Sequence, residues 1–326
     1  MRAQAAQCRL FFTRKRKPVF HPEHIGLRIF HTIEEYKSSD LSGENAGSAV
    51  TLGKFDGIHT GHRKLVRNIV RYAQSHQLAS VVFAIEVDQD AVLSHEERAL
   101  YLESLGVDVL VECPFSREFM NLHPAEFVRT ILEDTLHTRY AAVGTDFVFG
   151  HNREGNACDL QAICERYGCR TVILEKERFQ GEDVSSTRVR EALRKGDMEL
   201  VESLLGRPYP ILGTVEHGAH IGTGIGIPTV NLALDPHKIL PPDGVYASIT
   251  TLPDHSVRKG LTDIGTRPTV GGGARRAETT LMEFHSDLYG ARIAHALYRF
   301  IRPETKFSGL DELKKQIQKD RKTAWG

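Results

Sequence analysis

From Ala49 to about Leu205, short apolar runs alternate with stretches in which apolar residues recur every three or four positions. Val50–Leu52, Ser80–Phe83, Val109–Glu112, Ala141–Val143 and Thr171–Leu174 have the length and β-branched content of buried strands. The segments between them read as helices, one opened by Ser94-His-Glu-Glu97, where Ser94 and Glu97 stand at capping-box spacing. Such a βαβ series builds a parallel sheet wound on both faces, with its ligand crevice at the C-terminal strand ends. After Gly206-Arg-Pro-Tyr-Pro210 the pattern changes to β runs punctuated by glycine and proline: Ile211–Val215, Val245–Thr250, Arg258–Ile264, Glu278–Phe284 and Arg292–Phe300. These predict a small antiparallel barrel, closed off by a helix over Leu310–Gln318 with Leu310, Leu313 and Ile317 on one face. The expected class is α/β: a doubly wound parallel-sheet domain, then a small antiparallel β-barrel domain with a C-terminal helix.

Candidate chemistry starts where the first strand ends, in Thr51-Leu-Gly-Lys-Phe-Asp-Gly-Ile-His-Thr-Gly-His62. Gly53, Gly57 and Gly61 let the backbone approach a ligand, and from Arg63 the stripe Leu65, Val66, Ile69 and Val70 is helical. The first N–H groups of such a helix lack internal partners and sit at its positive dipole end, so an anion is stabilised there. His59 and His62 add donors that can follow charge building on phosphorus. The plain alternative is two surface histidines among the 16 in the chain. A second signal is Val184-Ser-Ser-Thr-Arg-Val-Arg190, where Ser185 or Ser186 caps a helix and Arg190 lies one turn beyond Ser186 on the same face. An arginine there suits a polyphosphate through paired hydrogen bonds, or is a solvated residue on a capped surface helix.

The C-terminal third holds a second glycine-rich stretch, His217-Gly-Ala-His-Ile-Gly-Thr-Gly-Ile-Gly-Ile-Pro-Thr-Val-Asn231. Four glycines within nine residues, Gly222, Gly224 and Gly226 among them, give a chain whose N–H groups can wrap a polyphosphate. Thr229 and Asn231 offer hard oxygens to one face of an extended strand, a donor set for a divalent cation. A polar turn between strands is the alternative.

These motifs resemble the nucleotidyltransferase superfamily, with its early His-x-Gly-His and late Ser-Ser-Thr-x-x-Arg. More narrowly, with Gly144-Thr-Asp-Phe-Val-Phe-Gly150, Arg153, Gly155, Gly265-Thr-Arg-Pro-Thr269, Glu278-Thr-Thr-Leu-Met-Glu-Phe284 and Asp287-Leu-Tyr-Gly290, the chain resembles bifunctional riboflavin kinase/FAD synthetase from about residue 27 to 323. The resemblance implies a nucleotidyltransferase (FMN adenylyltransferase) domain over 27–205 and a riboflavin kinase domain over 206–326, phosphorylating riboflavin to FMN and adenylylating FMN to FAD and pyrophosphate. It gives ATP phosphates to Gly53, Phe55, Asp56, His59, Gly61, His62, Ser186, Thr187 and Arg190, and to Gly222, Gly224 and Gly226 in the second half. It gives the flavin pocket to Asp146, Phe147 and Phe149, Mg²⁺ to Thr229 and Asn231, and general-base catalysis to Glu278. Two departures stand out. Ala84-Ile-Glu-Val-Asp88 lacks the histidine of the family's Phe-Asp-Pro-His-Pro, and Thr223 replaces a basic residue. A rival reading is therefore a riboflavin kinase whose first domain is a degenerate nucleotide scaffold or a regulatory or RNA-binding module.

Composition narrows the partners. Lysine plus arginine balance aspartate plus glutamate at 42 each, so global charge argues for neither nucleic acid nor membrane. The expected partners are riboflavin, FMN and ATP; oligomeric state is left open. Five cysteines without Cys-x-x-Cys spacing argue against a disulfide framework or zinc site and for a reducing cytoplasm. Residues 1–26 read as a disordered basic leader, whose Leu10-Phe-Phe12 run is too short for a signal peptide or membrane span.

Overall fold

The computed structural model describes residues 26–43, 47–85, 90–114, 119, 121–216, 229–266, 275–284, 286–305 and 307–326. Residues 1–25 of the expected leader, the glycines Gly222, Gly224 and Gly226, Thr223 and Glu86 lie outside the described residues.

Strands β1 (Arg28–Phe30), β2 (Ser48–Gly53), β3 (Ala79–Ile85), β4 (Val109–Cys113), β5 (Thr138–Gly144) and β6 (Arg170–Leu174) form one sheet in the order β1-β4-β3-β2-β5-β6. Every neighbouring pair is parallel. Side-chain alternation along a strand serves both faces. Val50 and Leu52 pack with Phe127 and Leu160 on one side, while Ala49 packs with Leu65, Val66, Ile69 and Val70 of helix α1 (Thr60–His76) on the other. Helix α2 (His95–Ser104) carries the expected capping box: Glu97 N–H donates to Ser94 Oγ at 3.2 Å, and Ser94 N–H to Glu97 Oε2 at 2.9 Å.

Six antiparallel strands then close a barrel: β7 (Tyr209–Glu216), β8 (Thr229–Leu232), β9 (Gly244–Thr251), β10 (Val257–Thr266), β11 (Arg275–Leu281) and β12 (Arg292–Arg302), in the order β7-β8-β11-β10-β9-β12. β11 stops at Leu281, short of the expected Phe284, because Glu283 takes φ +55° and turns the chain. The last helix, α3 (Leu310–Trp325), runs well past Gln318. Leu310 is exposed and Leu313 half-buried, so the expected apolar face docks only through its C-terminal part. Ile317, Ala324 and Trp325 pack on Val245, Ala247 and Leu261, and buried Asp320 accepts from Arg302 Nε at 2.9 Å.

The two halves share a packed boundary. Val189, Leu193, Val201 and Leu204, from the helices preceding the barrel, bury against Tyr209, Ile211 and Tyr246. Buried Lys238 pairs with buried Glu97 and donates to Val92 O at 3.0 Å, while Glu97 Oε1 accepts from Leu212 N–H at 2.8 Å.

The barrel interior carries a polar chain. His295, with no exposure, lies 2.7 Å from Thr250 Oγ1 and 3.0 Å from Thr279 Oγ1, and Thr262 Oγ1 links Thr279 to Ser248 at 2.8 Å each. Burial pushes the imidazole down from 6.5 to about 3. The unfolded chain binds the proton more readily, so this contribution to stability is complete above pH 6.5 and is lost as pH falls from there toward 3. Denaturant unfolding at pH 7 and pH 4.5 should show a loss of about 2 kcal/mol from this group. His295→Gln should flatten that slope; an unchanged slope assigns the acid sensitivity elsewhere.

Candidate active sites

A cavity of about 970 Å³ opens at the C-terminal ends of the parallel strands, lined by their last residues Gly53, Ile85, Gly144 and Leu174. His59, Gly61, His62 and Ser186 line it together with Asp146, Phe147 and Phe149. The strand-to-helix turn explains the histidine pair. Helix α1 begins at Thr60, earlier than the apolar stripe predicts, because His59 is its N-cap: His59 Nδ1 accepts from His62 N–H at 3.3 Å. A neutral ring accepting at Nδ1 carries its proton on Nε2. The two imidazoles stack at 3.8 Å with 17° between their planes. Gly61 permits this, since a Cβ there would stand 3.2 Å from the His59 ring.

Burial pushes His59 well below the ordinary 6.5, with His62 and Arg207 adding repulsion, and pushes His62 down to about 4. Both rings are therefore neutral at neutral pH and donate hydrogen bonds without carrying charge. Positive charge comes from Lys54, Lys64, Lys176 and Arg153, which line the same cavity and to which sequence reading gave no role in the site. Lys64 donates to Glu175 O at 3.0 Å and pairs with Glu177 at 2.9 Å. Lys176 sits 3.0 Å from Asp146. Phe147 and Phe149 stack at 5.5 Å with 17° between planes, and Phe127 packs against Phe149 at 5.5 Å, giving the cavity an aromatic wall. Gly150, at φ +78°, passes Pro124 so closely that a Cβ would stand 2.8 Å from its ring.

Four expected residues do not line this cavity. Phe55 is wholly buried, its ring 4.9 Å from that of His62, and Thr187 is exposed. Asp56 is buried and paired with Arg190; its Oδ1 accepts from Val92 N–H at 2.7 Å. Arg190 is turned away by that carboxylate and by Asp90 O, to which its Nε donates at 2.9 Å. Ser185, not Ser186, is the helix N-cap, accepting from Arg188 N–H at 3.3 Å. That frees Ser186 Oγ to donate to Asp56 O at 2.7 Å.

The second cluster is a row across the barrel strands. Asn231 of β8 pairs in register with Glu278 of β11, which pairs with Asp263 of β10. Directly paired antiparallel residues share a face. Val230, Leu232, Ala277 and Ile264 occupy the core, so Asn231, Glu278, Asp263 and, two residues before Asn231, Thr229 share the opposite, outward face. Asp263 is the addition that local motifs did not reveal. Burial, then Glu304 and Glu278, push its carboxyl up to about 6, while Arg302 opposes them. Among the described residues, the buried acceptors Asn231 Oδ1 and Asp263 Oδ1 have no hydrogen-bond partner. Orphaned acceptor oxygens beside a carboxylate fit a hard divalent cation, which takes oxygen ligands and needs no donor.

Comparisons with known proteins match the two halves of the chain to separate families. The family model described as FAD synthetase matches residues 41–188, and that described as riboflavin kinase matches residues 205–325. The bifunctional riboflavin kinase/FMN adenylyltransferase of Haemophilus influenzae is 35% identical over 291 residues, covering 85% of this chain and 93% of that protein. The Bacillus subtilis protein of the same name is 34% identical over 299 residues, covering 87% and 93%. A crystal structure titled as a macrolide-efflux protein from Streptococcus pneumoniae superposes with a TM-score of 0.79 at 29% identity, covering 92% of this chain and 99% of that one. Among the described residues no helix is long and apolar enough to cross a membrane. With both family models matched in order and such relatives spanning most of its length, the chain belongs to the bifunctional riboflavin kinase/FMN adenylyltransferase family.

Proposed function

We propose that the barrel transfers the γ-phosphoryl group of ATP to riboflavin, and that the parallel-sheet domain joins AMP from a second ATP to the resulting FMN. The observation that carries this reading is the cavity at the strand ends, lined by two neutral imidazoles, lysines and an aromatic wall. In FAD formation an FMN phosphate oxygen bonds to the α-phosphorus as the bond to the bridging oxygen breaks and pyrophosphate leaves. His59 and His62 donate to oxygens that gain charge, Lys54 and Lys64 offset the polyphosphate, and Phe147 and Phe149 hold the flavin ring. Catalysis of this kind rests on positioning and preorganised donors, not on a protein nucleophile. Arg190 and Ser186 act on the turn through Asp56, and Phe55 supports His62 from behind.

In the barrel, Glu278 accepts the proton of riboflavin's primary hydroxyl as the γ-phosphoryl group arrives. Thr229 and Asn231, with Asp263 beside Glu278, are the residues to hold Mg²⁺, which when bound offsets phosphate charge. The glycine-rich segment containing Gly222, Gly224 and Gly226 is the part of the chain assigned to the ATP phosphates. Residues 27–205 and 206–326 are the corresponding units. The substrates are small molecules, and balanced charge gives no reason to add nucleic acid. Cys113, Cys158, Cys164 and Cys169 are free thiols, which fits a reducing cytoplasm.

Incubation of the full chain with riboflavin, ATP and Mg²⁺, with products separated by chromatography, tests the proposal. FAD is the expected end product. FMN alone would support the rival reading, in which the first domain, lacking the histidine near Glu86, no longer adenylylates.

A further inference from the structure

Three successive carbonyls in the turn before His59 are held from outside it. Ser186 Oγ donates to Asp56 O at 2.7 Å, Arg207 Nη2 to Gly57 O at 2.7 Å, and Arg207 Nη1 to Ile58 O at 3.0 Å. The backbone there is strained. Phe55 at φ +46° and Ile58 at φ +41° are non-glycine residues in the left-handed region, flanking Gly57 at φ +80°. Conformations of this kind persist only where the surroundings over-determine them. Arg207 is the surrounding that does so, reaching across 149 positions of sequence to Ile58.

The arginine is unusual in its own right. It is 2% exposed, one of the largest fully buried side chains, and its guanidinium carbon stands 3.7 Å from the Tyr101 ring centre. Among the described residues no carboxylate forms a salt bridge with it; it also bonds to the Tyr101 side chain and to Leu205 O, the latter at 3.3 Å, and Glu97 favours its charge from farther off. Burial lowers it to about 10, so it stays charged at neutral pH. A buried guanidinium without an ion-pair partner is a poor device for stability alone, where an apolar side chain of similar volume does as well or better. Its two-pronged fork does suit adjacent carbonyls. The contact is reciprocal, because Arg63, the residue after His62, donates to Gly206 O at 3.3 Å.

We propose that Arg207 is a positioning residue for FAD formation: it locks the Gly57–Ile58 peptides and thereby sets where the His59 and His62 rings stand in the cavity. This deepens the adenylyltransferase reading of the first domain and rests on it. Arg207 does not line the cavity and touches no substrate. It falls within the stretch matched to riboflavin kinase, residues 205–325, so the turn serving one activity is held by the unit that performs the other.

The test uses the full chain with Arg207→Lys, which keeps the charge but replaces the fork by a single ammonium, and Arg207→Ala with and without added guanidinium. With FMN and ATP supplied, Arg207→Lys should lose roughly 30-fold in kcat for FAD while KM for FMN stays within about threefold, as a misplaced group costs rate more than binding. FMN formation from riboflavin, in the same sample, should stay within about twofold, and guanidinium should restore part of the FAD rate to Arg207→Ala. Amide hydrogen exchange at residues 57–60 should quicken in Arg207→Lys. If kcat for FAD stays within about threefold of wild type, or if both activities fall together with the melting temperature, the inference is overturned. Should wild type make FMN but no FAD, it is the adenylyltransferase reading that fails. The exchange rates then decide the lock alone: unchanged protection in Arg207→Lys refutes it, and faster exchange supports it.

Discussion

Glu278→Gln is expected to remove FMN formation almost completely, a loss on the order of 10²–10⁴-fold, while FMN supplied from outside is still converted to FAD within about twofold. Glutamine keeps the length and polarity of the side chain but cannot take a proton. The hydroxyl of riboflavin is a weak nucleophile at neutral pH, so the group that accepts its proton during transfer carries a large share of the rate. Register supports the assignment: Glu278 stands between Asn231 and Asp263 on one face, beside the oxygens best suited to a cation and its phosphates. Because the strand pairing leaves the core face untouched, Gln should fold as Glu does. Paired assays on one preparation, riboflavin to FMN and FMN to FAD, provide the check. If FMN formation survives the change, Glu278 is not the base and Asp263 becomes the carboxylate to examine; if both reactions vanish in folded protein, the allocation of the two sites is wrong.

What the sequence made legible was local. His59, Gly61 and His62 are neighbours on one turn, which the strand-to-helix pattern showed, while the Asp146-Phe-Val-Phe149 segment, which follows directly from the end of β5 and lines the same cavity, was reached through the family resemblance. Strand existence was equally local, because runs such as Val109-Leu-Val111 are apolar on both faces, as a strand covered by helices on two sides must be. The rest depends on pairings that no local pattern carries. Asp263 meets Glu278 only through the register of β10 on β11. Arg190, readable as a phosphate ligand from its helix position, is instead drawn to Asp56, 134 residues earlier. Arg207 stands in an ordinary-looking Gly-Arg-Pro-Tyr turn, and only the folded chain brings it under the histidine loop.

The last helix teaches the same lesson from the side of stability. Its sequence is so charged that the apolar stripe Leu310, Leu313, Ile317 was the available guide; Leu310 is exposed, and docking falls to Ile317 and then, beyond the expected end of the helix, to Ala324, Trp325 and an Asp320–Arg302 pair. A small residue and a buried ion pair leave little trace in hydrophobic periodicity. They matter here because Val245, Ala247 and Leu261, which the helix covers, lie on the barrel strands that also carry Asp263 and its neighbours.

His62→Ala should do the reverse of Glu278→Gln, lowering FAD formation by about 10²–10³-fold with FMN formation unchanged. The magnitude follows from removing one preorganised donor in a buried site, where it is stronger than in water. The protonation state sharpens the expectation. His62 is held down to about 4 by burial, and His59 lies well below 6.5, so both are neutral from pH 6 upward and the empty site gains no charge as pH falls through 6.5. An arriving polyphosphate favours the protonated rings, which raises both pKa values in the complex. Binding of a non-hydrolysable ATP analogue near pH 5.5 should therefore take up protons, and less so at pH 8. Calorimetry in buffers of different ionisation enthalpy measures that uptake directly. His62→Ala should reduce it, since His62 supplies part of the change, and His59→Ala should do likewise. Proton uptake that is absent in wild type, or undiminished in both variants, would falsify the view that these imidazoles face the phosphates.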